Sequence, residues 1–210
     1  MILRKDNLYY DIYNTLRDDI LSGKITPSEK ITEIGLAKKL NVSRTPIRLA
    51  ITKLREEGLI KGNYVYIPNE TDFRDIFQVR GLLEGFAAEY CATYITEESL
   101  LKLEECVKNG FSDDEHIRLE SNYLFHQILV EETHNKKLIQ IIDQMQSLIR
   151  LFRITVTLQK RPRLVSEHEE IYQAIKEGNG SRAKKLIQEH IDKDLNFGLS
   201  HLSFISHKND

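Results

Sequence analysis

The sequence predicts a mainly α-helical protein, with an N-terminal winged helix-turn-helix followed by an all-α helical bundle. Two observations carry this prediction. Apolar residues recur at helical spacing along most of the chain, and two short β-prone runs flank the pair Gly62-Asn63. The domain boundaries expected from the breaks in periodicity are 1–68 for the winged helix, 69–71 for a linker and 72–210 for the bundle.

Composition and charge narrow the class of protein. The 210 residues include 40% hydrophobic and 30% charged residues, and no apolar run approaches membrane length. Residues 1–68 carry 12 Lys and Arg against 8 Asp and Glu, whereas the remainder carries 18 against 24. This asymmetry is expected if only the N-terminal part approaches phosphate. The two cysteines lack metal-binding or disulfide spacing, which indicates reduced thiols in a cytoplasmic protein with no membrane partner.

The first domain contains three predicted helices and a hairpin. The segments are helices at 8–21 and 33–40, a helix between Ser43 and Gly58, and strands at 59–61 and 64–67. Thr32 and Ser43 are expected to cap the second and third helices through their hydroxyls. Gly58 is expected to end the third helix in the left-handed conformation. The Gly-Asn pair predicts a two-residue hairpin turn.

The third helix is the candidate recognition helix. Its apolar stripe consists of Ile47, Ala50, Ile51 and Leu54. Arg44, Thr45 and Arg48 lie off that stripe, near the amino-terminal end. Arginines in this position suit the major groove, where a guanidinium can bind guanine through two hydrogen bonds. The alternative is an amphipathic helix whose basic face is only solvated.

The second domain is predicted to hold six helices joined by short connections. They span 72–94, 97–109, 113–132, 136–160, 164–177 and 181–204. Such a run of helices is typical of an α-helical bundle.

Three histidines in this domain could form a metal site. Asn122 and His126 are four residues apart and share one helix face, and His168 and His190 both lie with the apolar stripes of their helices. Imidazoles that converge from three helices can hold a divalent metal such as Zn or Ni. By spacing alone, the other interpretation is that these are core histidines bonded to carbonyl groups.

The N-terminal part resembles a known family of regulators. The stretch Val42-Ser-Arg-Thr-Pro-Ile-Arg48, preceded by related motifs at 18–27 and 31–40, resembles the DNA-binding domain of GntR-family bacterial transcription regulators. The resemblance implies a homodimeric repressor or activator of transcription that binds a palindromic double-stranded operator. It also implies that the protein is not an enzyme. Ile34 stands where that family usually has a DNA-contacting arginine, and the wing is shortened to two residues.

The resemblance also implies which residues contact DNA. Arg44, Thr45 and Arg48 match the recognition-helix contacts of the family. The expected DNA-binding set also includes Ser43, Lys61 and Asn63. Of these, Lys61 is expected to meet phosphate beside the wing.

The C-terminal part carries motifs of its own. They are Arg80-Gly-Leu-Leu-Glu84, Asn122-Tyr-Leu-Phe-His126, Asn135-Lys-Lys-Leu138, Glu167-His168 and His190. In order and approximate spacing they resemble the FadR-type effector domain of the same family. The resemblance implies a metal held by one Asp and three His, with a small carboxylate effector completing its coordination sphere. Here Asn122 takes the place of the Asp.

The resemblance suggests arginines that could bind such an effector. Arg80 could clamp its carboxylate, and Arg150 and Arg153 are further candidates; the alternative for each is a surface or interface ion pair. The chain is thus expected to be a sequence-specific transcription regulator whose operator affinity responds to a small carboxylate. An architectural DNA-binding protein and a metal-dependent hydrolase are the alternatives. The hydrolase needs a general base, and Glu167 and Glu169 are expected to point away from His168.

Overall fold

The computed structural model describes residues 5–66, 68–158 and 161–206, with side chains described for 8–66, 68–150 and 161–200. Over these residues it contains nine α-helices and one short hairpin. They are α1 (Lys5–Leu21), α2 (Glu33–Leu40), α3 (Arg44–Glu56), β1 (Ile60–Lys61), β2 (Tyr64–Val65), α4 (Glu70–Tyr94), α5 (Glu97–Asn109), α6 (Glu115–Glu132), α7 (Lys136–Leu158), α8 (Leu164–Lys176) and α9 (Gly180–Ser206). The predicted fold class is confirmed.

The chain divides into two compact units. The first consists of Met1–Asn69 and Gln144–Leu151, and the second of Glu70–Asp143 and Phe152–Asp210. The predicted linker is too long, because Glu70 and Thr71 form the start of α4. Both residues are exposed and polar, and Glu70 is in the first turn, where a carboxylate interacts favourably with the helix dipole.

The first unit is built around α3. All four residues of the predicted stripe are buried, and α1 packs against them through Ile12, Leu16 and Ile20. Burial of each such aliphatic side chain contributes about 1.5–3 kcal/mol. Gly58 has a φ of +76°, so it provides the left-handed residue that ends the helix, as predicted.

The helix caps of this unit follow the sequence in one case and depart from it in the other. Thr32 Oγ1 accepts a hydrogen bond from the Gly35 amide at 3.1 Å. Ser43 occupies the N-cap position of α3, but its hydroxyl makes no capping hydrogen bond. The prediction for Ser43 is therefore wrong. One of the two amides that an N-cap hydroxyl can bind belongs here to Pro46, which has no N–H.

The hairpin has the predicted two-residue turn. Ile60 pairs with Val65 and Lys61 with Tyr64, and Gly62 has a φ of +63°. The second strand is shorter than predicted, and Ile67 lies outside the described residues. Arg55 of α3 holds the turn by donating to the Gly62 carbonyl at 3.1 Å and to Asn63 Oδ1 at 3.2 Å.

The second unit packs its helices around an apolar core. The α4–α9 pair has the most extensive contact, and Gln188 of α9 donates to the Gly81 carbonyl at 3.1 Å. Phe77, Phe125 and Leu103 are almost completely buried in this core. Residues 159–160, which the sequence assigns to the fourth helix of the bundle, lie outside the described residues.

Both cysteines are free thiols buried in the second unit. Burial raises the pKa of the Cys91 thiol to about 12 and that of Cys106 to about 11. The thiolate form that binds metals is thereby disfavoured in both.

Every helix among the described residues is too short or too polar to span a membrane.

Candidate functional site

The first candidate surface is the amino-terminal end of α3. Arg44, Thr45 and Arg48 are all exposed there. Arg44 Nη2 lies 2.9 Å from Glu33 Oε2, yet the Arg44 side chain remains 64% exposed. An exposed ion pair of this kind is worth no more than about 1 kcal/mol, so it can be exchanged for a contact with DNA.

The remaining predicted DNA contacts are Ser43, Lys61 and Asn63, and they differ in whether the side chain is already hydrogen-bonded within the protein. Ser43 and Lys61 are exposed, and Lys61 Nζ lies 5.0 Å from the centre of the Tyr66 ring. The carboxamide of Asn63 instead accepts from Arg55 within the hairpin turn. Ile34, at 66% exposure, places an apolar side chain on α2.

The second candidate site lies inside the helical unit, where three histidines converge. His126, His168 and His190 come from α6, α8 and α9 and are all buried. One ligand nitrogen from each lies within 4.8 Å of the others. The Nε2 atoms of His168 and His190 are 3.2 Å apart. The structure thus brings together the three histidines singled out from the sequence.

Neighbouring side chains fix the orientation of these rings. Phe125 stacks on His168 with ring centres 4.3 Å apart and planes 8° from parallel. His126 Nδ1 lies 2.5 Å from Glu84 Oε2, and Arg80 Nε donates to the other oxygen of Glu84 at 2.7 Å. A carboxylate on one imidazole nitrogen fixes the tautomer and leaves the other nitrogen as a ligand atom.

His190 has a second network of the same kind. Its Nδ1 lies 2.9 Å from Glu167 Oε2, which also accepts from Arg161 Nη2 at 2.6 Å. Burial would raise the pKa of Glu167, but hydrogen bonds from His190 and Arg161 outweigh it and lower that pKa to about 2. Asp194 Oδ1 lies 2.7 Å from Arg161 Nε. The sequence analysis considered Glu167 only as a possible base beside His168, whereas the structure places it against His190 of α9.

Asn122 lies one helical turn before His126 on α6 and lines the same cavity as His168. Its side chain is buried, and its Oδ1 makes no hydrogen bond within the described part of the chain. A buried carbonyl oxygen without a donor is costly unless a ligand satisfies it.

The three histidines fit a divalent metal by their chemistry and spacing. Metal–nitrogen bonds of about 2.1 Å separate neighbouring ligands by about 3.0 Å in an octahedron and about 3.4 Å in a tetrahedron. The 3.2 Å between the His168 and His190 nitrogens lies between these values. Three imidazoles and one amide oxygen suit zinc, nickel, copper or iron.

A cavity of about 300 Å³ adjoins the cluster. Its lining residues are Cys106, Gly110, Arg118, Asn122, Arg161, Leu164, Val165 and His168. This volume is at the lower end of the range for small-molecule sites, about 300–1,000 Å³. The cavity therefore has room for a small ligand that also reaches Asn122 and His168.

The arginines in this cavity wall are not those suggested by the sequence. Arg80 is fully buried and forms an ion pair with Glu84 of the same helix, so this pair lies inside the helical unit and not at a surface. Arg150 belongs to the first unit, where its Nη1 lies 4.0 Å from Asp18 Oδ1. The side chain of Arg153 lies outside the described residues. Arg118 and Arg161 line the cavity instead.

Glu84 and Asp194 were not assigned to the site from the sequence, although both had a signal there. Arg80 and Glu84, and likewise His190 and Asp194, are four residues apart on one helix. Such pairs meet on a helix surface. Arg118 and Arg161 had no comparable signal.

Comparisons with known proteins identify the families of the two domains. Residues 8–63 match the model of the bacterial regulatory proteins of the gntR family, and residues 75–193 match the FCD domain. The HTH-type transcriptional regulator YdhC of Bacillus subtilis is 34% identical over 89% of this chain and 88% of its own. LutR of the same organism, also an HTH-type transcriptional regulator, is 26% identical over 82% of this chain and 92% of its own.

Among solved structures, E. coli McbR/YncC shares the fold. It superposes with a TM-score of 0.75 and 17% identity, covering 95% of this chain and 99% of its own. The family matches and the relatives describe transcription regulators, which as a class are not enzymes. The chain therefore belongs to the GntR family of bacterial transcription regulators and, within it, to the group with a C-terminal FCD effector-binding domain.

Proposed function

We propose that this regulator changes its operator affinity when a small carboxylate binds in the cavity beside a divalent metal. The observation that carries the proposal is the convergence of three buried imidazoles. One of them, His168, lines that cavity together with Asn122, whose buried Oδ1 atom makes no hydrogen bond within the described residues. Asn122, His126, His168 and His190 would hold the metal, with zinc or nickel the favoured ions. The metal would supply a positive centre for a carboxylate.

The carboxylates and arginines that surround the three histidines argue against a purely architectural DNA-binding role. Buried charges are expensive, and an apolar core of the same volume is often as stable. Here two buried guanidinium groups, Arg80 and Arg161, hold the carboxylates that orient His126 and His190. Both carboxylate oxygens of Glu167 accept hydrogen bonds from Arg161, and one of them also lies 2.9 Å from His190 Nδ1. Glu167 is therefore already engaged and poorly placed to act as a general base, which argues against the hydrolase.

The link from the site to the DNA-binding domain is proposed to run through α4. Glu84 contacts His126 directly, and Arg80 stands ten residues after Glu70, the first residue of the helix. A ligand that holds α6, α8 and α9 together also fixes α4 through Glu84. An effector can shift operator affinity only by the difference in its own affinity for the two arrangements.

A homodimer is part of the proposal. The α4 helix has an exposed apolar face made by Val79, Leu82, Phe86 and Tyr94, and Leu82 is 65% exposed. A second copy that packs on this face would bury it and would pair two DNA-binding domains for the half-sites of a palindromic operator. Action on such an operator implies a cytoplasmic location.

The dimer face can be tested by substitution. We expect Leu82→Glu to shift the protein from dimer to monomer at micromolar concentration, because a carboxylate would be buried in an apolar interface. Sedimentation velocity measures the change. Leu101→Glu is the matched control, since Leu101 is 66% exposed on α5. A wild type that sediments as a monomer, free and on operator DNA, would contradict the homodimer.

The metal site can be tested at its neutral ligand. We expect Asn122→Asp to tighten metal binding by about tenfold or more, because ligand charge tunes metal affinity on this scale. Asn122→Leu, which removes the oxygen at similar volume, should weaken it. Competition against a chelator measures both affinities. Unchanged affinity in both variants would show that Asn122 is not a ligand.

The whole function is tested with the purified full-length protein. Metal analysis and native mass spectrometry should show about one metal per chain in a dimer. Selection from random duplexes should return a palindrome, and candidate carboxylates should change the affinity for it. A metal-free protein whose operator affinity no carboxylate changes would overturn the proposal.

A further inference from the structure

We infer that the effector is a short dianion with two separated acidic groups, and that Arg118 binds the group farther from the histidines. This inference rests on the proposed function, because it assumes a metal beside Asn122 and His168. It goes further in naming the charge of the ligand and a residue that selects it.

Arg118 faces the same cavity as Asn122. The two residues are four apart on α6, about 6 Å along the helix axis, and both line the cavity. Arg118 Nη1 donates to the Ser112 carbonyl at 2.7 Å and to the Asp113 carbonyl at 2.9 Å. These two bonds hold the guanidinium in place but do not neutralise it. Within the described residues, no carboxylate oxygen lies within ion-pair distance of Arg118.

Arg161, the other arginine of the cavity, has its charge compensated. It contacts both Glu167 and Asp194 and is 8% exposed. Arg118 is therefore the cavity arginine with an unbalanced charge, and it stands apart from the histidine cluster.

The charge balance of the whole site leads to the same ligand. Around the histidines, two buried guanidinium groups face three buried carboxylates, which leaves one negative charge; these groups are Arg80, Arg161, Glu84, Glu167 and Asp194. Lys193 also approaches Glu167, but its side chain is 54% exposed to solvent. A divalent metal and Arg118 add three positive charges, and Asn122 contributes none. A dianion restores neutrality, whereas a monoanion leaves a partly buried positive charge unbalanced.

Matched pairs of acids separate the possibilities. Succinate and glutarate serve as dianionic probes, and butyrate and valerate are the monoanions of the same chain lengths. We expect calorimetry on the metal-loaded wild type to show each diacid binding at least about tenfold more tightly than its monoacid, the scale of a hydrogen-bonded charge pair. Metal content is measured on the same samples.

Substitutions assign this preference to Arg118. Arg118→Met should reduce it to less than about threefold and Arg118→Lys should retain part of it, with metal content unchanged in both. Arg163→Met is the control, because Arg163 is 74% exposed on its side chain and does not line this cavity. Asn122→Asp adds one negative charge to the site and should therefore move the preference toward monoacids. This variant keeps the test open if Arg118→Met does not fold.

Different results would overturn the dianion inference and the proposed function. Equal affinity for diacid and monoacid, a preference that survives in Arg118→Met, or no binding of either series to metal-loaded protein would overturn this inference. Each of those outcomes leaves the metal site standing. Absence of metal from the wild type would instead overturn the proposed function.

Discussion

In the His168→Ala variant we expect loss of stoichiometric metal and of the carboxylate response, with the operator affinity of the metal-free protein within about twofold of wild type. His168 contributes one of the two nitrogens that lie 3.2 Å apart at the centre of the cluster. Its removal also takes away the ring stacked on Phe125. The DNA-binding surface belongs to the other unit and keeps its residues. Metal analysis and an operator titration on the same preparation give both results.

The control for this experiment is His116→Ala. His116 is an exposed histidine on α6, the helix that carries His126, and its removal should change neither metal content nor response. A His168→Ala protein that still carries one metal per chain and still responds would show that the three histidines are core residues. The effector would then bind elsewhere.

The second large effect is expected at the recognition helix. Arg44→Ala and Arg48→Ala should each weaken specific binding by about 1–3 kcal/mol and relax base preference at one position of each half-site, because a bidentate base contact is lost. Both side chains are exposed at the start of α3, so the variants should fold normally. Titration of operator and single-base variants measures the change.

Arg182→Ala is the matched control for these two substitutions. Arg182 is an exposed arginine on α9, where it pairs with Glu177, and its loss should leave operator affinity intact. If Arg48→Ala bound the operator with wild-type affinity and base preference, α3 would not be the helix that reads the bases.

Much of the fold could be predicted because its signals are local. Helix α3 shows its buried stripe through apolar spacing and its end through Gly58, and both depend on the residues themselves. The hairpin is equally local, since a Gly-Asn pair selects its turn. The errors fall at the ends: the first turn of α4 extends into polar residues that periodicity assigns to a linker.

The inner part of the candidate site could also be inferred from sequence. His126, His168 and His190 share the spacing of the apolar stripes, so their inward direction was predictable. The contact of Glu167 with His190 was not predicted, because α8 packs against α4, α5 and α9. A helix covered from several sides buries a wider arc than its apolar stripe, and adjacent residues can then both be buried.

The cavity residues depended on tertiary structure. Arg118 is positioned by carbonyls of the turn before α6, and Arg161 by carboxylates from α8 and α9. Neither arrangement has a fixed sequence spacing. Arg80 was expected to meet a ligand, but its neighbour at i+4 is a carboxylate that already binds it.

The most direct test of the account is operator affinity measured with and without succinate, on metal-loaded protein and on the same protein stripped by chelator. We predict that succinate changes the affinity of the metal-loaded protein by about 5- to 150-fold and leaves that of the stripped protein unchanged. An equal shift in both forms would contradict metal-dependent control of DNA binding, and no shift in the loaded form at saturating succinate would contradict control by a short dianion.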